Sequence, residues 1–201
     1  MSVIDYGTQA RRLLGRTVHR NRFRLGLDDG LLDPEATVRS LPEGTEPHLL
    51  FLCYGNICRS PLAEHYARER LVERDVPATV ESAGFHDTVD RASPDTAVAA
   101  ATEHAVDLED HRSKRATEAM LRTTDIVLLM DVRNYRHLQR EFSEAVEKAA
   151  FLRAFGDGTR WSFEIADPYD GDRGTFDEAY DQVATSIDGL VERLAARHDH
   201  R

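Results

Sequence analysis

From His48 onward the sequence alternates short apolar runs with segments of helical periodicity, and no other feature constrains the fold as much. "HLLFLCY" at 48–54, "TVESAG" at 79–84, "DIVLLMD" at 125–131 and "KAAFLRAF" at 148–155 read as four buried strands. Between them lie helical stretches. One runs from about Pro61 to Arg74 with Leu62, Tyr66 and Leu71 inward, and an Ala-rich one opens with Ser93 as N-cap and Pro94 as first residue and ends at His104. A short helix covers Thr117 to Thr123, "VRNYRHLQREF" is another, and Thr175 to His198 closes the chain. Strand alternating with helix predicts an α/β domain with a four-stranded parallel sheet, doubly wound because right-handed crossovers cover both faces. Ligands of such sheets bind beyond the carboxyl ends of the strands, where the strand order reverses.

The first 47 residues have a different character. Six arginines stand against Asp5 within residues 1–24, so a chain of net charge -10 begins with a basic arm. Ala10, Leu13, Leu14, Thr17 and Val18 recur at helical spacing, which predicts an N-terminal helical extension. An acidic linker rich in Pro and Gly follows, with Asp33-Pro34 as a helix start and Leu41-Pro42 as a stop. The expected division is therefore 1–47, basic arm and acidic linker, and 48–201, the α/β domain, which the loop at 53–61 marks as the catalytic one. An acidic body argues against nucleic acid as partner, while the arm suits an anionic partner or surface. No apolar run reaches the roughly 18 residues of a membrane span, and no basic-then-apolar leader opens the chain. Two cysteines, five positions apart, are too few for a secreted disulfide framework, so the expected compartment is the cytoplasm.

The catalytic expectation comes from "CYGNICRSP", residues 53–61. A strand that enters a glycine-containing loop and then a helix gathers backbone N–H groups and a helix N-terminus around one point, which favours an anion. Gly55 and Asn56 tolerate the left-handed backbone that turns amides inward. Arg59 supplies a planar fork for two phosphate oxygens. The same field favours negative charge on Cys53, which makes a nucleophile beneath a bound phosphorus, with Ser60 placed to donate to the sulfur. Two cysteines without a second pair fall short of the four ligands of a structural zinc, and the Gly-Lys-Ser/Thr of a nucleotide P-loop is missing. Neither metal nor cofactor is implied.

These residues resemble the low-molecular-weight protein tyrosine phosphatases, whose signature C-x-G-N-I-C-R-S-P matches Cys53 through Pro61. The resemblance extends to "ESAG" at 81–84, "HRSKRAT" at 111–117, "DIVLLMD" and "DPYDG" at 167–171, and covers about residues 48–198. It implies Cys53 as nucleophile, Arg59 as phosphate clamp and Asp167 as general acid, acting through a cysteinyl-phosphate intermediate. Asn56, Ser60, Ser82, His111 and Asp131 would form the hydrogen-bond network that shapes the loop. Tyr54, Gly55, Asn56, Ile57, Cys58 and Ser60 would line the bound phosphate, and Tyr54 and Tyr169 would flank an aromatic substrate.

Two positions depart from the family's habit. Thr88 stands where an aromatic is frequent, with Phe85 and His86 as compensating candidates, and Asp170 stands where a second tyrosine is common. Arsenate reductases of this fold need further cysteines, which this chain lacks. Arginine phosphatases carry Thr at the position of Ile57, so Ile57 favours phosphotyrosine. A catalytically silent phosphate-binding adaptor is the reading from another class, opposed by the joint presence of Cys53, Arg59 and Asp167. The implied partner is a phosphotyrosine-containing protein, among bacterial members a tyrosine kinase.

Overall fold

The computed structural model describes residues 29–43, 46–159 and 161–199; the helical repeat read over 10–18 and the arginines of the arm lie outside them. Four strands, β1 (His48–Cys53), β2 (Thr79–Gly84), β3 (Ile126–Leu129) and β4 (Ala149–Phe151), form one sheet in the order β2-β1-β3-β4. Every pairing is parallel. The helices are α1 (Pro34–Arg39), α2 (Arg59–Glu73), α3 (Asp95–Ala101), α4 (Glu118–Thr123), α5 (Val132–Glu141) and α6 (Arg173–Asp199).

The two-residue period of β1 explains the layers. Leu49, Phe51 and Cys53 face one side and join a core made with Leu62 and Ala67 of α2, Ala97 of α3, and Phe176, Val183 and Leu190 of α6. Leu50 and Leu52 face the other and pack with Leu121 of α4, Val132 and Leu138 of α5, and Phe163. The sheet is thus doubly wound, as the alternation predicts. Because β1 lies between β2 and β3, the order reverses beyond the carboxyl ends of β1 and β3, next to Cys53 and Asp131.

Several boundaries differ from the sequence reading. Helix α2 starts at Arg59, not Pro61, because Pro61 fits the first turn of a helix, where no N–H is demanded of it. The Ala-rich helix begins at Asp95 with Pro94 as cap, and after Ala101 it tightens to a 3-10 turn ended by Ala105 in the left-handed region at φ 57°. Only Ala149–Phe151 of "KAAFLRAF" pairs with β3; Leu152–Phe155 coil into a 3-10 turn closed by Gly156 N and Gly158 N donating to the Arg153 carbonyl. That turn buries Phe155 and lays its carbonyl against Gly189 of α6, where a side chain has no room.

Asp33 caps α1 by accepting from Ala36 N at 2.9 Å, with Pro34 at the first helical position. Val38 and Leu41 enter the α6 side of the core and Leu31 the opposite side. Arg197 of α6 ties this segment down by donating to the carbonyls of Leu41 and Pro42, both at 2.8 Å. Among the described residues no helix is long and apolar enough to cross a membrane.

Candidate active site

Strand β1 delivers Cys53 to the reversal point, and the chain then wraps a short loop before α2 begins. Asn56 holds that loop in shape from a left-handed backbone at φ 51°, the conformation its residue type tolerates. Its N–H points at Cys53 Sγ from 3.2 Å, and the Ser60 hydroxyl donates to the same sulfur at 3.0 Å. Two donors therefore converge on one buried thiol at a helix N-terminus.

The Asn56 side chain, fully buried, is a hub. Its amide nitrogen donates to Ser60 Oγ at 3.0 Å and Ser82 Oγ at 2.8 Å, and its amide oxygen accepts from Lys114 N at 2.7 Å. The Ser82 hydroxyl in turn donates to Glu64 Oε2 at 2.6 Å. The direction of every bond is consequently set, from Ser60 to sulfur on one branch and from Ser82 to carboxylate on the other. His111 Nε2 lies 2.8 Å from the Asn56 carbonyl, so that nitrogen carries the proton. Burial depresses His111, outweighing that hydrogen bond, so the ring is neutral. Burial opposes the charge on Glu64, but the Ser82 hydrogen bond and the Lys114 and Arg68 charges hold its carboxyl below the usual range.

Arg59 is almost wholly buried, and its charge is met from two sides. NH1 donates to Asp131 Oδ2 at 2.7 Å and to the Ile165 carbonyl at 2.8 Å, while NH2 pairs with Asp167 Oδ2 at 3.0 Å. Burial works against the cation, yet Asp131 and Asp167 overcome it and raise its pKa further. Arg59 Nε has no acceptor among the described residues. The NH1 corner is thus anchored to protein, leaving the Nε and NH2 edge as the one that can grip an incoming anion. Asp131 does two jobs, since its other oxygen caps α5 by accepting from Asn134 N at 2.8 Å.

The sequence-predicted residues come together in this one place. Tyr54, half-buried, follows Cys53 and stands beside His86, ring centroids 5.5 Å apart. Gly55 offers its carbonyl to Arg91 NH2 at 2.6 Å. Ile57 and Cys58 turn their side chains into the core, so their contribution to the loop is backbone. Burial, then the neighbouring Cys53 and Asp167, push the Cys58 thiol far up and keep it protonated. Tyr169 is exposed near Asp167. Phe85 does not replace the missing aromatic at Thr88, because it is buried and stacked on His137 at 5.2 Å. Asp170 is exposed.

Sequence reasoning missed Glu64, the Lys114 amide, Arg91 and Gly84. For Glu64 a signal existed: Ser60, Ala63, Glu64, Ala67 and Leu71 form one inward helical stripe, all buried, and two of the five are polar. For Gly84 the reason is steric, since a Cβ there would meet Tyr54 O at 2.8 Å and Asn56 N at 2.9 Å.

The E. coli K12 low molecular weight protein-tyrosine-phosphatase Wzb is 37% identical over 152 residues, which cover 74% of this chain and 96% of Wzb. Etp, a low molecular weight protein-tyrosine-phosphatase of the same strain, is 32% identical over 147 residues, or 73% of this chain and 94% of Etp. The crystal structure of the tyrosine phosphatase Wzb from E. coli K30 in complex with sulphate superposes with a TM-score of 0.66 at 29% identity, covering 75% of this chain and 99% of that one. The YwlE arginine phosphatase from Geobacillus stearothermophilus superposes at 0.68 with 28% identity, over 77% of this chain and 97% of that one. The family model for low molecular weight phosphotyrosine protein phosphatases spans residues 48–200, from the first residue of β1 past the end of α6, and the chain belongs to that family.

Proposed function

We propose that the chain hydrolyses phosphotyrosine in protein substrates through a cysteinyl-phosphate intermediate. The observation that carries this reading is the convergence on Cys53: Asn56 N–H and the Ser60 hydroxyl both aim at its sulfur, at the N-terminus of the helix that begins with Arg59. In the first step Cys53, as thiolate, attacks phosphorus in line, the phosphorus–oxygen bond to the tyrosyl group breaks with its electrons going to oxygen, and Asp167 in its acid form protonates that departing oxygen. In the second, Asp167 as carboxylate takes a proton from water, the resulting hydroxide attacks phosphorus, and the sulfur leaves with its electron pair, steadied by the same two donors. Phosphate binding at the Nε and NH2 edge of Arg59 displaces the Asp167 ion pair, which frees that carboxyl for its acid role.

The amides of the loop from Tyr54 to Ser60 hold the phosphate oxygens, and Tyr54 and Tyr169 line the approach. Ser82, His111 and Asp131 are positioning residues that act through Asn56 and Arg59. No cofactor enters either step. Two unpaired cysteines support a cytoplasmic setting, and a bacterial tyrosine kinase is the class of protein that would carry the phosphotyrosine.

The test is turnover of a phosphotyrosine peptide and a phosphoarginine peptide by the wild type, Cys53→Ser and Arg59→Ala. Cys53→Ser should lose turnover of phosphotyrosine while still binding vanadate, and Arg59→Ala should lose both. Near-normal turnover by Cys53→Ser would refute the covalent route, and preference for phosphoarginine would refute the substrate.

A further inference from the structure

In a chain of net charge -10, helix α5 is a local exception, carrying three arginines against one glutamate. Arg133, Arg136 and Arg140 are spaced i, i+3 and i+7, so they share one face, and all three are exposed. Glu141 pairs with Arg140 at 2.8 Å and also engages His137 at 3.0 Å and Arg115 at 2.9 Å, so Arg140 is compensated and Arg133, eight residues away at the other end of the helix, lies beyond its reach.

Arg133 differs from an ordinary surface arginine. Among the described residues no carboxylate lies within ion-pair distance of it; its guanidinium rests over the Tyr54 ring, 3.6 Å from the centroid. Tyr54 is the residue after the nucleophile, and its ring is also fenced by His86 and His137. Stacking occupies the face of the guanidinium and leaves its N–H edge for an acceptor in the plane. The arginine also lies within one helical turn of Asp131, the carboxylate that anchors Arg59. Arg91, donating to the carbonyls of Gly55 and Thr88, is a second cation at the loop with no carboxylate partner among the described residues. The segment that follows Asp167 exposes Asp170 and Asp172. Arg133 over Tyr54 and Arg91 on Gly55 thus place two cations at the loop that follows Cys53.

We propose that the α5 face headed by Arg133 is a docking surface for an acidic segment flanking the phosphotyrosine of the substrate, with Arg133 selecting a carboxylate beside it. This rests on the phosphotyrosine reading above and adds the sequence context that reading leaves open. A peptide running along α5 advances about 3.3 Å per residue, which brings a carboxylate one to three positions from the phosphotyrosine within reach of the stacked guanidinium.

The test compares kcat/KM on three phosphotyrosine peptides of equal length, with flanks of Glu and Asp, of Ala, or of Lys, for wild type, Arg133→Gln and Arg133→Lys. The wild type should prefer the acidic over the neutral peptide by about fivefold at low salt, the scale of one or two exposed ion pairs, and lose that ratio at high salt. Arg133→Gln should collapse the ratio, and Arg133→Lys should retain most of it, which a merely structural role for the arginine would not produce. Equal turnover of all three peptides by the wild type, or a ratio unchanged in Arg133→Gln, would overturn the docking surface and leave the phosphotyrosine reading standing. Turnover of none of them would overturn that reading and the docking surface with it.

Discussion

Replacing Gly84 by alanine tests whether β2 sets the shape of the phosphate loop. The added Cβ would stand 2.8 Å from Tyr54 O and 2.9 Å from Asn56 N, and both are backbone atoms that cannot swing aside. Ordinary contact begins at 3.4 Å, so strand and loop must separate by about 0.6 Å. The loop has little freedom to follow, because Phe85 N and His86 N both donate to that same Tyr54 carbonyl, at 2.9 and 3.0 Å. Asn56 N is itself the donor to Cys53 Sγ, so the movement falls on the bond that holds the sulfur. Overpacking of this kind costs about 1–3 kcal/mol of stability. A catalytic misplacement approaching 1 Å costs on the order of 100-fold, so kcat/KM for an aryl phosphate should fall about 10- to 100-fold. Urea denaturation and steady-state kinetics on the purified variant read the two quantities separately. Gly174→Ala is the control, since its Cβ would sit 3.6 Å from Asp172 Oδ1, an ordinary contact. If Gly84→Ala stayed within about 0.5 kcal/mol and twofold of wild type while phosphate still bound, the loop would owe its shape to something other than this contact.

Asp167→Ala should slow phosphoenzyme formation by about 100- to 10,000-fold when the leaving phenol has a pKa near 10, and by less for a nitrophenol. Rapid-quench rates across graded aryl phosphates check this, and parallel slopes in variant and wild type would move the acid role to Asp170. Peroxide should inactivate the protein reversibly, since Cys53 is oxidised to a sulfenic acid and the protonated Cys58 thiol then condenses with it to a disulfide, releasing water. Cys58→Ser should become irreversibly oxidised; equal recovery with dithiothreitol in both proteins would sink the idea. Leu41→Ala should lose about 2–5 kcal/mol in chemical denaturation, although Leu41 precedes the family's residues, because its side chain is buried under α6. A loss below about 0.5 kcal/mol would place the segment outside the cooperative core.

The sheet and its winding were legible because β1 and β3 are apolar on both faces and each is followed by a helical period, a pattern only a covered parallel sheet satisfies. The loop from Cys53 to Ser60 was legible for a different reason, since its chemistry is local and each residue type has a reason to stand there. Glu64, Arg91 and Gly84 act on the loop across the fold, through Ser82, the Gly55 carbonyl and the Tyr54 and Asn56 backbone, and nothing near them in the chain names those partners. "KAAFLRAF" misled because an apolar run of eight does not say where pairing stops; the stop comes from Gly156 and Gly158 and from the close approach of Phe155 to Gly189. Pro61 misled by one rule applied too tightly, since proline is allowed throughout the first helical turn and not only at its first position.

Asp131 offers one oxygen to Asn134 N at the head of α5 and the other to Arg59. The head of α5 and the Arg59 guanidinium therefore share a hinge pin. Under the reading proposed above, a load placed on α5 by a bound peptide would pass through a single carboxylate to the Arg59 guanidinium, with no intervening side chain to absorb it. The same economy limits what evolution or an engineer can alter independently. Changing Asp131 to tune the grip also loosens the end of the helix, and repositioning α5 to suit a new partner also turns the clamp, so substrate preference and phosphate affinity in this architecture should drift together.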